Sequence, residues 1–265
     1  MNTKKSFKRD FFKSAIEFFT NHYQPKKGES PMKSRLSLTI AVILTVMFLK
    51  SVPLEATSKE VAKVNDAIDV LEEIMAIPEK GIPPALLNNA QGIAIIPGVI
   101  KAGFVIGGRH GSGIMVVRDK KGEWSNPSFI TLTGGSIGWQ VGAQSADIIL
   151  VFKSRRGINN MMKGKFTLGG DASIAAGPVG RQVEAGTDVQ LKAEIVSYSR
   201  TRGLFAGLSL EGAALQIDYD ADAAFYEREA IQTSDIFTNK EIKSPVVVKK
   251  LKEVLKKYTS NKSQD

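Results

Sequence analysis

Thr133 to Phe152 reads TGGSIGWQVGAQSADIILVF, and this stretch decides the fold. Four glycines ahead of an apolar run invite comparison with a phosphate-cradling loop. A dinucleotide site, however, needs G-x-G-x-x-G between a strand and a helix, and a P-loop ends in Gly-Lys-Ser/Thr. Neither pattern is present. Gly134, Gly135, Gly138 and Gly142 lead into ADIILVF, which has the β-branched character of a strand rather than of a helix whose N-terminus would hold phosphate. The stretch therefore reads as two strands around a turn near Gly142 to Ser145.

Its surroundings have the same texture. GIAIIPG, AGFVIGG, GIMVVRD and PSFITLT, between Gly92 and Thr133, read as short strands, with GRHGSG and DKKGEW as hairpin turns. Downstream, DVQLKAEIVSYS sets Val189, Leu191, Ala193 and Ile195 against Gln190, Lys192 and Glu194, one buried and one wet face. The phase slips at Val196, where a bulge is expected. RTRG then reads as a turn into LFAGLSLEGAALQID, making another hairpin. SRRGINNMMKG and DYDADAAFYER read as helices, as does a short segment from Pro83 to Asn88. Strands that follow one another without regular helical crossovers predict an α+β fold. The expected sheet is mainly antiparallel and strongly curved or barrel-like, with helices at its ends. Val61, Val64, Ile68, Leu71 and Met75 form a helical stripe ended by Pro78. Thr57 and Glu60 are placed to form a capping box at its start. The stripe suits either packing on the domain or contact with a membrane.

The ends of the chain differ from this body. Met32 opens MKSRLSLTIAVILTVMFLKSVPLEAT, which has the positive start, apolar stretch and small residue at Ala56 of a secretory signal peptide. Residues 1–31 form a basic, aromatic preamble. Lys27, Gly28 and Glu29 have purine-rich codons of the kind that precede a bacterial start, so Met32 is the expected first residue. The expected organisation is 1–31 upstream segment, 32–56 signal peptide, 57–239 domain and 240–265 basic helix and tail. The destination is periplasmic or secreted, or the inner membrane if the signal remains as an anchor. The absence of cysteine excludes a lipoprotein anchor at this signal and fits an exported protein without disulfides. Of the formal net charge of +9, most belongs to the ends: residues 57–239 hold 18 Lys/Arg and 20 Asp/Glu. A nucleic-acid binder wants its basic face on the folded domain, so no nucleic-acid partner is expected.

GGSIGWQVGAQSADIILVF, GDASIAAGPVGR and SYSRTRGLFAGLSLEGA together resemble the SYLF domain family, in order, within a span from about Thr57 to Arg228. The resemblance implies lipid binding. Eukaryotic members bind phosphoinositides with help from an amphipathic N-terminal helix, some fungal members also bind actin filaments, and bacterial members are commonly exported. This sequence departs from the eukaryotic pattern in its signal segment and in showing no attached SH3 or FYVE module.

The inventory for catalysis is poor. There are two histidines: His22 falls in the preamble, and His110 reads as a solvated turn residue with no partner to activate it. Asp147, Asp171 and Asp188 follow no metal-loop spacing, and Ser136 lacks a nucleophile-elbow context. No enzyme, cofactor or metal is expected. Basic residues suit an anionic phospholipid headgroup better: Lys153, Arg155, Arg156, Lys163 and Lys165 bracket the interior helix, and Arg181, Arg200 and Arg202 fall in or next to the matched motifs. The same side chains suit carboxylate pairing equally. Ser244 to Lys262, SPVVVKKLKEVLKKYTSNK, has the composition of an interfacial helix. Lys249, Lys250, Lys252, Lys256 and Lys257 surround a stripe that includes Leu251 and Leu255; docking on the domain would account for the same stripe. The expected partner is membrane phospholipid, with an envelope protein as the alternative. Peptides from 1–31 in mass spectra of the native product would overturn the expected start at Met32.

Overall fold

Two strands account for most of the sheet in the computed structural model, which describes residues 52–77, 81–164, 166–177, 192–202, 210–238 and 242–259. Strand β1, Gly92–Val117, and β2, Ser128–Phe152, pair antiparallel from Gly92 opposite Phe152 to Met115 opposite Ser128. Helices α1 (Val52–Met75) and α2 (Pro84–Asn89) precede them. Then come α3 (Arg155–Met162), the short strands β3 (Phe166–Thr167) and β4 (Ile174–Ala176), β5 (Ile195–Arg202) and β6 (Ala214–Ile217). Helices α4 (Tyr219–Phe225), α5 (Thr233–Thr238) and α6 (Val246–Thr259) follow. The described residues from Pro53 onward form one compact unit. The class is α+β, with a mostly antiparallel sheet curled into a half-barrel and helices packed against it.

A 26-residue strand is about 85 Å long when extended. A domain of this size is about 40 Å across, so β1 has to bend. Register shifts between Ile96 and Val99 and between Gly103 and Val105 supply bends, with Gly98 in the left-handed region at φ +57°. The curl brings β1 across itself. A Cβ on Gly113 would lie 2.1 Å from the Ile95 carbonyl oxygen, and one on Gly111 would lie 2.7 Å from a Val99 methyl. Only glycine permits that approach.

The strands expected as separate pieces are therefore one. GRHGSG continues through β1, with His110 exposed opposite Thr133, and no turn interrupts β2 at Gly142 to Ser145. Glycine-rich tracts are shared by turns and curled strands, and only the partner strand distinguishes them. DKKGEW is the turn, closed by Asp119 Oδ1 accepting from the Lys121 and Glu123 amides at 2.8 and 2.9 Å.

The β5 to β6 connection also differs from expectation. β5 pairs with β2 from Phe152 to Ser145, and β6 pairs with β2 from Thr133 to Ile130. Eleven residues separate Arg202 from Ala214, and eleven separate Thr133 from Ser145, so β5 and β6 run along β2 in one register rather than as a hairpin. No bulge occurs at Val196. Ile195 and Val196 are both buried because the sheet is covered on both faces, and β5 is flanked by β2 and, in parallel, by β4. Covering on both faces equally explains the unbroken apolar runs Ile93–Ile96 and Ile148–Phe152.

Helix α1 places Val64, Ile68, Leu71 and Ile74 in the core. The helix runs through Thr57, so that residue is not its N-cap. Asp218 caps α4 by accepting from the Ala221 amide at 3.1 Å. Replacement Gly113→Ala is expected to cost about 3 kcal/mol or more, because backbone must move to admit the methyl. Gly135→Ala, with open space around its position, is the matched control. Urea unfolding of the two variants distinguishes a required glycine from an incidental one.

Candidate functional site

The basic residues divide into those the fold uses and those it leaves outward. Arg200 is used. Its guanidinium reaches Asp147 Oδ2 at 2.8 Å through Nη2 and 3.2 Å through Nε, and it also bonds Glu73 on α1. Asp147 is 1% exposed and accepts from the Gly98 amide at 2.9 Å. The hydrogen bond to Asp147 raises the Arg200 pKa above its ordinary value. This group holds the bulge of β1, the strand pair β2 and β5, and α1 together. A headgroup taking Arg200 would leave Asp147 buried and uncompensated, which costs several kcal/mol, so Arg200 serves the fold. The side chain of Arg202 and all of Lys165, Arg181 and Asp188 lie outside the described residues. Asp171, considered with Asp147 and Asp188 for a metal, accepts from the Thr167 amide at 2.6 Å within a tight turn.

Helix α6 is present where expected, and its apolar face is occupied. Val247, Val248, Leu251, Val254 and Leu255 belong to the core, with Leu251 and Leu255 fully buried. Of the two alternatives the sequence left for the stripe that includes Leu251 and Leu255, the structure has it docked, completing the domain's own core. Lys252 is half-buried and donates to Asn126 Oδ1 at 2.8 Å. Trp124 donates its indole N–H to Thr259 Oγ1 at 3.2 Å, and that hydroxyl donates to the Leu255 carbonyl at 2.8 Å. Lys249, Lys250, Lys256 and Lys257 remain exposed. Their ion pairs, Lys249 with Glu253 and Lys257 with Glu72, are both at 3.9 Å and solvated, hence weak.

Helix α3 turns Ile158 and Met161 inward and leaves Arg155, Arg156 and Lys163 exposed. Lys153, just before it, is half-buried. Arg155 donates to the Arg118 carbonyl oxygen, and Arg156 lies 3.8 Å from Glu194. Arg118 in turn donates to the Asn88 carbonyl on α2 and stacks 4.6 Å from the Trp124 ring centroid.

Arg155, Arg118, Trp124 and Thr259 thus form a continuous relay from the start of α3 to the end of α6. The start of one basic element and the end of the other are joined through the β1–β2 turn. Sequence reasoning found both groups and missed the two residues that join them. Arg118 follows a strand and Trp124 sits in a turn, where neither periodicity nor a motif marks them.

The arrangement favours surface contact over chemistry. A shallow cleft lined by Asp119, Trp124, Asn126, Phe237 and Lys252 has room for a water molecule and none for an acyl chain. Among the described residues no three His, Asp or Glu side chains converge on a metal position, and no helix is long and apolar enough to cross a membrane.

Residues 133–258 match the family described as Ysc84, Las17-binding protein actin regulator. The SH3 domain-containing YSC84-like protein 1 of Xenopus laevis is 36% identical over 212 residues, 78% of this chain and 61% of that protein. Protein YSC84 of Saccharomyces cerevisiae is 35% identical over 211 residues, 78% of this chain and 44% of the relative. LAS seventeen-binding protein 3 of the same yeast is 34% identical over 211 residues, 78% of this chain and 45% of the relative. The chain thus spans between 44% and 61% of the length of these relatives.

Leu251→Ala is expected to destabilise the protein by about 3 kcal/mol through the cavity it leaves. Replacing Lys249, Lys250, Lys256 and Lys257 together by glutamine is expected to shift stability by less than about 1 kcal/mol. Thermal and urea melts check both, and equal effects would contradict the docked state of α6.

Proposed function

The chain belongs to the Ysc84/SYLF domain family, and on that premise we propose a non-catalytic binding module that holds an anionic phospholipid surface against its basic end. The relatives are named as binding and regulatory proteins, which fits a module without an active site. The observation that carries the reading is that the Arg118–Trp124 relay joins the start of α3, where Arg155 and Arg156 are exposed, to the end of α6, the helix whose outward face carries four exposed lysines.

The burial of the α6 stripe sets the kind of binding. With Leu251 and Leu255 inside, the helix contributes charge and no inserted apolar area. Four exposed lysines at about 1 kcal/mol each near an anionic surface give about 4 kcal/mol, a dissociation constant near the millimolar range. Arg155 and Arg156 add to this from α3. Attraction of this type falls steeply with salt, because the Debye length shrinks from about 10 Å at 0.1 M to 3 Å at 1 M. The module is then a reversible, salt-sensitive contact that gains strength from density on the membrane or from other segments of the protein. The signal-like segment at residues 32–56 places this contact at an envelope membrane in this reading.

The relatives' names favour a second reading, in which the same basic end meets an acidic protein surface. Flotation with vesicles of neutral or anionic phospholipid separates the two. Binding to anionic vesicles at low salt, lost at high salt and reduced at least tenfold by Lys249, Lys250, Lys256 and Lys257→Glu, is the expected result. A further loss is expected with Arg155→Glu and Arg156→Glu. No flotation with any vesicle, alongside retention of an acidic envelope protein that the same substitutions abolish, would replace the lipid reading by the protein one.

A further inference from the structure

The outward faces of α1 and α6 carry opposite charge. On α1 the exposed positions include Asp66, Asp69 and Glu73, with Ala62 and Ala76 on either side of them. On α6 they include Lys249, Lys250, Lys256 and Lys257. Lys59 opens the first face, and Glu253 interrupts the second, where it lies 3.9 Å from Lys249. The two faces are neighbours, since Glu72 of α1 and Lys257 of α6 are 3.9 Å apart. Both helices give their apolar residues to the core, so charge is what each offers outward.

The spacing of the charges corresponds as well. Asp66 and Glu73 are seven residues apart, as are Lys249 and Lys256, and Lys250 and Lys257. Seven residues are two turns, about 10 Å along a helix, so an acidic pair on one helix can meet a lysine pair on another in step. Among the described residues, Asp66, Asp69, Lys250 and Lys256 have no ion-pair partner within the molecule. A two-fold operation brings the acidic face of each copy to the basic face of the other, and the two contacts are then equivalent. A different basic partner would use α1 and leave the lysines unmatched, whereas a second copy uses both faces at once. The body of the chain does not oppose this, because residues 57–239 hold 18 Lys/Arg and 20 Asp/Glu and so repel a second copy little.

We propose that the chain associates with a second copy of itself through an isologous interface, in which α1 of each copy lies against α6 of the other. The small side chains of Ala62 and Ala76 leave room for lysine stems along α1. The ion pairs are solvated, so the dimer is weak and salt-sensitive. The lysines are those of the membrane reading, and an anionic surface and a second copy therefore compete for them. The dimer itself needs no lipid. Its measurement in solution fails or succeeds separately from flotation.

Sedimentation equilibrium of the full chain over a concentration series, without lipid, tests this. A monomer–dimer equilibrium is expected at low salt, with its dissociation constant raised at least tenfold at about 1 M salt, where the Debye length is about 3 Å. Asp66→Lys with Asp69→Lys makes both faces of a copy basic. Lys249, Lys250, Lys256 and Lys257→Glu makes both faces acidic. Glu73 is left in place because it bonds Arg200. Each variant alone is expected to stay monomeric, and their equimolar mixture to associate. If either variant does not fold, Asp66→Asn with Asp69→Asn, which removes charge without reversing it, is expected to weaken the native dimer several-fold. A native chain that stays monomeric at every concentration, a dimer indifferent to salt or to these substitutions, or folded charge-reversed variants whose mixture does not associate would overturn the interface.

Discussion

The close crossing of β1 over itself, glycine against backbone at Gly113 and Ile95, is the contact on which the rest of the structure depends. A two-stranded ribbon this long cannot lie flat in a domain of this size, and an isolated ribbon is at best marginally stable. Curling solves both problems, because it packs the apolar ends Ile93–Ile96 and Ile114–Val117 into one core. Buried residues of α1, α2, α3 and α6 join that same core. Strands β5 and β6 pair alongside β2 near its two ends, and β4 and β3 pair outward from them.

The same curl determines what is available for binding. It gathers the beginning of β1, the end of β2 and the β1–β2 turn at one end of the molecule, so helices that follow different strands arrive there together. Arg118 and Trp124 connect them through a cation–π contact and short polar contacts. Both amphipathic helices give their apolar faces to the core, and charge is what they leave outside. This division places the stability of the protein in leucines and valines and its surface contacts in lysines and arginines, so the two respond to different substitutions. Arg200 belongs to the first class in spite of its charge, since Asp147 beneath it would otherwise be buried unpaired.

Much of this was legible in the residues. The α+β class, the helices α2, α3, α4 and α6, the stripe of α1 and the turn at DKKGEW follow from periodicity, proline placement and turn chemistry. The errors fall where one signal has two physical causes. Glycines in GRHGSG and in SIGWQVGAQ mark either a turn or a strand that something must approach closely, and the distinction rests on residues far away in sequence. RTRG reads as a turn for the same reason, although β5 and β6 share one register on β2. Among the candidate ligand residues, a charged side chain looks alike in sequence whether it faces solvent, as Arg155 does, or a buried carboxylate, as Arg200 does.

The sequence by itself determined the family, the element types, the concentration of positive charge at the ends of the chain, and the scarcity of catalytic groups. These are properties of composition and of short-range spacing, which a chain carries before it folds. Only the tertiary structure decided which apolar faces were already occupied, which cations were paired, and that Arg118 and Trp124 join the start of α3 to the end of α6. Those outcomes depend on contacts between residues tens to more than a hundred positions apart, and such contacts leave no local trace in the sequence.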